Sequence, residues 1–318
     1  MPDKPKIALY WCASCGGCEE TIVDLAATVL EIAAAVDFVL WPVALDYKKH
    51  DIEQLADKAI LATLINGAIQ NSEQEEMVRM LRRKSQHVVA FGACAQLGGI
   101  PGLANFSQRS TINDLVFHNL PTLTNGGAEP QSHVRQDAHS LDLPEFFESV
   151  RTLDQTIDVD YYIPGCPPTA QVIVPAIQGL ITGNLPEKGS VLAPDHALCE
   201  DCPRKQTKPE QLELNELHRP HEVIIDPEKC LLAQGIVCLG GSTRSGCDAA
   251  CVKGNMPCTG CFGPTSRVRD QGAKSSSAIA SIVAASEESE IDRILSGVPD
   301  PAGTFYRYSF PASLLQRS

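Results

Sequence analysis

The residues in this chain best equipped for chemistry are its cysteines. Cys15-Gly16-Gly17-Cys18 stands near the start, and Cys199 and Cys202 form a second C-x2-C pair. Cys230 and Cys238 are separated by seven residues, and Cys247, Cys251, Cys258 and Cys261 follow with gaps of three, six and two. A C-x2-C turn lets two thiolates face one metal centre, and glycine beside them leaves backbone N–H groups to point at sulfur. Two chemistries fit. Structural zinc takes four thiolates tetrahedrally from similar turns, whereas an iron–sulfur cluster accepts wider and less regular spacing. Gaps of three, six, seven and eight residues lack the paired regularity of a zinc ribbon and favour the larger object. Three four-cysteine sites would use twelve of the 13 cysteines and leave one.

An odd cysteine count without an export signal argues against a disulfide framework. The opening Met1-Pro2-Asp3-Lys4-Pro5-Lys6 leads into a short apolar run that has neither a signal peptide's h-region nor a twin-arginine address, which points to a cytoplasmic protein. No 18 apolar residues run uninterrupted, so no membrane span is expected. With 39 acids against 26 basic residues the net charge is -13, a balance that repels phosphate backbones and excludes nucleic acid as a partner.

The elements that must position the thiols alternate. Ile7–Trp11 reads as a strand ending in the Cys12–Cys18 loop, and Glu19-Glu20 open an amphipathic helix to Ala35. Strands are expected at Val36–Ala44, Ile60–Ile69, His87–Gly92 and Asp160–Ile163, with helices at Ser72–Lys84 and from Pro168 to Thr182. This βαβ alternation gives an α/β class: a flavodoxin-like doubly wound parallel sheet over residues 1–185. Cys15 and Cys18, Cys94 and Cys166 each follow a strand. At the carboxyl edge of an open sheet they fall where ligands bind. Pro101–Thr156 is a polar insertion with short helical pieces. Residues 186–318 are expected to form an irregular cysteine-rich C-terminal domain, in which the stretch Ala193–Thr265 depends on bound metal to fold. Ser275–Ala285 reads as an exposed or partner-facing helix.

Glycines around Cys94, in Phe91-Gly92-Ala93-Cys94 and Leu97-Gly98-Gly99, are either simple turns or room for a bulky ligand to approach the backbone. Glu19 reads as a first-turn acid complementing the helix dipole, with a proton carrier beside the first metal site as the alternative. His50, His87, His118, His133, His139, His196, His218 and His221 are scattered and build no nucleophile constellation. Neither a P-loop nor a GxGxxG follows the first strand, so no nucleotide site is expected.

Cys15-Gly16-Gly17-Cys18-Glu19, Gly92-Ala93-Cys94-Ala95 and Pro164-Gly165-Cys166-Pro167-Pro168 resemble the proximal-cluster motifs of nickel–iron hydrogenase small subunits. Gly235-Ile236-Val237-Cys238, Gly246-Cys247 and Met256-Pro257-Cys258-Thr259-Gly260-Cys261-Phe262 narrow the resemblance. They resemble the cytoplasmic methyl-viologen-reducing, deazaflavin-non-reducing type that associates with heterodisulfide reductase. The resemblance implies an electron relay. A separate large subunit would hold the nickel–iron centre, and this chain would pass electrons through three 4Fe–4S clusters to a small iron–sulfur linker subunit and heterodisulfide reductase. Cys15, Cys18, Cys94 and Cys166 would hold the proximal cluster in residues 1–185. Cys247, Cys251, Cys258 and Cys261 would hold the medial cluster, and Cys199, Cys202, Cys230 and Cys238 the distal one, both in residues 186–318. Cys12 is left spare, packed as a small apolar residue or near the site.

The chain departs from the exported relatives, which carry a leader peptide, a histidine where Cys199 stands and a proline near Cys251. The large subunit's D-P-C-x-x-C-x-x-H motif is missing after Met256-Pro257-Cys258, so nickel binding is not expected. The related subunit of respiratory complex I uses adjacent cysteines and lacks the cysteine-rich C-terminal part. Two rivals stay open, a zinc-stabilised scaffold and a small subunit feeding a deazaflavin or nicotinamide partner.

Overall fold

Strand β1 (Lys6–Trp11) lies between β2 (Asp37–Leu40) and β3 (Ile60–Asn66) in the computed structural model, which describes residues 4–124 and 128–315. The first three residues of the N-terminal reading and the last three of the C-terminal domain lie outside the described residues. β4 (Ile69–Asn71) leaves the sheet to pair antiparallel with β8 (Phe146–Arg151), and β6 (His133–Gln136) and β7 (His139–Asp142) form an exposed hairpin. β5 (Ser85–Phe91) and β9 (Tyr161–Ile163) complete the main sheet, all parallel, in the order β2-β1-β3-β5-β9. Among the five sheet strands this is the flavodoxin-like order.

The two faces follow the strand alternation. Ile7, Leu9, Leu64, Val89 and Phe91 pack under the helices Gly17–Val23, Ala27–Ala35 and Ala170–Thr182. Ala8, Ile65, Val88 and Ala90 pack under Ser72–Lys84 through Met77, Val78 and Leu81.

Several boundaries differ from the sequence expectation. The helix expected to Ala35 is two helices, because Ala26 takes a φ of 52° between them. The strand expected at Val36–Ala44 stops at Leu40. The strand expected to Ile69 ends at Asn66 because Gly67, at φ 90°, turns the chain against Cys12, where a Cβ would stand 2.6 Å from backbone carbon. The helix expected at Ser275–Ala285 is Gln271–Ala280, with Gln271, Gly272, Ser275 and Ile279 buried rather than presented outward.

Beyond residue 185 loops and short helices predominate, gathered on two small apolar groups, one around Leu198, Leu231 and Val252 and one around Leu214, Ile279 and Ile294. The stretch Tyr306–Ser313 then returns to the first half. Pro311 packs on Gly98 and Gly102, the Phe310 ring stacks on Phe106 at 3.8 Å, and the Gly99 amide donates to the Tyr308 carbonyl at 3.0 Å.

Candidate metal centres

Cys15 and Cys18 leave the end of β1, Cys94 follows β5 in the short helix Ala93–Leu97, and Cys166 follows β9. Three strands of one parallel sheet thus deliver four thiols to the same edge. Burial, then the neighbouring Cys94, Cys166 and Cys15, pushes the Cys18 thiol well above its ordinary range. Burial, then Cys166, pushes Cys94 up to about 12, opposed by a hydrogen bond from the Ile100 amide. Four thiols this close cannot all ionise by themselves, and a cationic cluster held there would supply the missing compensation. The backbone around them is pared to glycine. A Cβ on Gly92 would fall 2.4 Å from the Cys18 sulfur, and one on Gly99 would fall 2.4 Å from the Cys94 sulfur.

Cys199, Cys202, Cys230 and Cys238 line one cavity of about 380 Å³, bordered by Arg204 and Lys208. Burial, then Cys238, Cys202 and Cys230 against an opposing Lys208, sets Cys199 at about 11. A Cβ on Gly240 would reach to 3.2 Å from the Cys199 sulfur. The remaining four gather likewise. Burial raises Cys261 to about 12, followed among its thiol neighbours by Cys247, Cys166 and Cys251. Burial also raises Cys258, then Cys238 and, more weakly, Cys261.

The three groups touch in series. The Cys166 amide is directed at the Cys261 sulfur and the Cys166 thiol bears on the ionisation of Cys261, joining the first group to Cys247–Cys261. The Cys258 amide donates to the Cys238 sulfur at 3.3 Å, joining that group to Cys199–Cys238. Among the described residues, no three Cys, His, Asp or Glu side chains close tightly enough for a single metal ion. A tetrahedral zinc draws its thiolates to about 2.3 Å from one point. Cys199, Cys202, Cys230 and Cys238 line a volume instead, and these residues fit a cluster.

Residues 15–180 match the family described as NADH ubiquinone oxidoreductase, 20 Kd subunit. The chain is 37% identical over 316 residues to the iron–sulfur subunit of the F420-non-reducing hydrogenase of Archaeoglobus profundus, covering 98% of each. It is 36% identical to a subunit of the F420-non-reducing hydrogenase of Methanothermobacter thermautotrophicus, over 99% of this chain and 97% of that one. The chain belongs to this hydrogenase family. An NAD+-reducing [NiFe]-hydrogenase chain superposes with a TM-score of 0.50 at 32% identity, covering 58% of this chain and 94% of its own. The [NiFeSe] hydrogenase of Desulfovibrio vulgaris Hildenborough, at 17% identity and a TM-score of 0.54 over 83% of this chain and 95% of that chain, shares the fold.

As the electron-transfer small subunit of a nickel–iron hydrogenase, the chain works beside a large subunit. Among its described residues no helix is long and apolar enough to cross a membrane. Cys12 stands apart from the three groups. It is 5% exposed and packs with Ala8 and Ile65 on the sheet face opposite Cys18.

Sequence reasoning missed the support behind Cys18. Glu19 is not a solvent-facing dipole acid: it is 4% exposed, accepting from Trp41 Nε1 at 2.7 Å and Asn66 Nδ2 at 2.8 Å. Burial raises its carboxyl above the usual range despite these two donors. Ser14 Oγ donates to Asn66 Oδ1 at 2.8 Å, so the network also grips the loop before Cys15. Asn66 at a strand end next to Gly67 was the one local signal available.

Proposed function

We propose that this hydrogenase small subunit holds three 4Fe–4S clusters in series. Cys15, Cys18, Cys94 and Cys166 take the proximal one, Cys247, Cys251, Cys258 and Cys261 the medial one, and Cys199, Cys202, Cys230 and Cys238 the distal one. The pair of sulfur-directed amides linking the groups carries this reading, because it orders them as a line rather than a triangle. Clusters bound there supply one-electron oxidation and reduction at potentials tuned by charge and by hydrogen bonds to sulfur. The chain's own part is to hold the thiolates, shield Cys18 and Cys94 from water and direct amides at sulfur.

On this reading electrons pass from the H2-converting centre of the large subunit to a low-potential acceptor. The acceptor is a small iron–sulfur linker subunit that feeds heterodisulfide reductase in the cytoplasm. The proximal group occupies a domain at 1–185 and the other two a domain at 186–318. The NAD+-reducing neighbour supports a second reading, a nicotinamide-linked acceptor, but the match covers only 58% of this chain.

The test is anaerobic co-purification with the large subunit, followed by iron, sulfide and zinc analysis, EPR and hydrogen-dependent viologen reduction. About twelve irons and as many sulfides per chain are expected from four of each per cluster. A colourless, zinc-containing protein without sulfide would overturn the assignment. The chains that co-purify identify the acceptor, and a flavin- or nicotinamide-binding subunit in place of a linker would select the second reading.

A further inference from the structure

The junction between the Cys247–Cys261 and Cys199–Cys238 groups is built as a clamp. The Cys258 amide donates to the Cys238 sulfur at 3.3 Å, and the Leu239 amide returns a bond to the Cys258 carbonyl at 2.9 Å. One buried side chain spans both strands of this clamp. Gln271, 4% exposed at the start of the helix Gln271–Ala280, directs Nε2 at the Gly260 carbonyl at 3.0 Å, in the turn between Cys258 and Cys261. The same nitrogen lies 3.2 Å from Thr243 Oγ1 and 3.4 Å from the Ser242 carbonyl, in the turn that follows Cys238. Thr243 Oγ1 donates to the Leu239 carbonyl at 2.7 Å and also reaches the Cys258 sulfur.

The helix cannot slide away from these turns. Ser275 Oγ lies 2.6 Å from Ser242 Oγ, and a Cβ on Gly272 would stand 2.3 Å from the Tyr306 ring. Gln271 is therefore fixed at its base and divided at its tip between two ligand-bearing turns.

We propose that Gln271 is a positioning residue of the electron relay, holding the Cys258 and Cys238 turns together so that the Cys258 amide stays on the Cys238 sulfur. This rests on the reading of the two groups as clusters. The bond matters in two ways. It is the shortest covalent-plus-hydrogen-bond link between ligands of the two groups. It also places an N–H dipole on a thiolate, which stabilises the more negatively charged reduced state and raises the potential of that centre. Removing the amide leaves the Gly260 carbonyl only its local bond from the Gly263 amide at 3.0 Å and cuts the tie from its turn to the Ser242–Thr243 turn.

Gln271→Met preserves length and removes the donor. In the purified complex of small and large subunits, EPR-monitored redox titration should show all three clusters present. The centre on Cys199, Cys202, Cys230 and Cys238 should shift to more negative potential, the magnetic interaction between it and its Cys247–Cys261 neighbour should weaken, and the centre at Cys15 should not move. Ser277→Ala, on the exposed side of the same helix, should change none of these. If Gln271→Met does not load with iron, Gln271→Asn is decisive: it keeps an amide one methylene short and should give a smaller shift of the same sign. Full iron content with unmoved potentials and unaltered magnetic interaction, in whichever variant loads, overturns the role given to Gln271. Fewer than three clusters in the parent complex instead overturns the cluster assignment, so the two failures are separable.

Discussion

Asn66 Nδ2 donates to Glu19 Oε1 across 2.8 Å in a setting closed to solvent, tying the end of β3 to the helix that carries Cys18. Trp41 Nε1 takes the other oxygen at 2.7 Å. Glutamine at position 19 offers one acceptor and turns an NH2 group toward a donor. Glu19→Gln should therefore cost about 1–3 kcal/mol, the penalty of an unpaired buried polar group. A lower thermal midpoint with iron content retained is expected, and an unchanged midpoint would show that the network contributes nothing.

Gly92 and Gly183 separate steric from conformational cost. Both have positive φ, 87° and 72°, but a Cβ on Gly92 would meet the Cys18 sulfur at 2.4 Å and one on Gly183 would meet nothing within 4 Å. Gly92→Ala should lose about four irons, one cluster's complement. Gly183→Ala should keep them all and cost about 1 kcal/mol of backbone strain. Equal iron in the two variants would remove the close-approach argument.

Asp160 governs acid stability at the other edge of the sheet. Burial opposes its ionisation, yet Lys188 at 2.6 Å, Arg82 at 2.5 Å and the Val88 amide at 2.8 Å outweigh it and hold the carboxyl at about 2. A carboxyl depressed in the folded state stabilises above its unfolded value near 3.8, and the contribution disappears as pH falls through about 2. The shift is worth about 2 kcal/mol at neutral pH. Asp160→Asn should lower the thermal midpoint by the same amount from pH 8 to pH 5, with the gap narrowing only below about pH 4. A gap that closes between pH 8 and pH 6 would assign the effect to another group.

Cys251 is one of the four cysteines proposed to hold the medial cluster. Proline has no atom that ligates iron, so Cys251→Pro should convert one 4Fe–4S centre to 3Fe–4S and leave two intact. EPR of the oxidised complex reads the new three-iron signal directly. Three unaltered 4Fe–4S centres in the variant would exclude Cys251 as a ligand.

The parallel sheet was legible because its strands are short apolar runs, three of which end at glycine or cysteine, as at Phe91-Gly92. The cysteines stood out as candidate ligands because sulfur ligation needs a specific residue type, whereas their grouping into quartets came only from the family resemblance. Partners chosen by tertiary packing were not. Glu19 looks like any first-turn acid until β3 and Trp41 close over it. Gln271 lies in a polar stretch whose burial is imposed by Tyr306 and the 239–243 turn. The break at Ala26 follows from a backbone angle that alanine seldom adopts, so the local pattern predicted one unbroken helix.

The return of Tyr306–Ser313 onto Gly98, Gly99 and Gly102 fixes an order of events in the cell. The loop bordering Cys94 acquires its covering only after synthesis has passed the Tyr306–Ser313 stretch. Until then its glycines have no partner surface, and the Cys94 sulfur beside Gly99 lacks its finished wall. On the proposed ligand assignment, chains stalled before Tyr306 should be isolated without iron at Cys15, Cys18, Cys94 and Cys166.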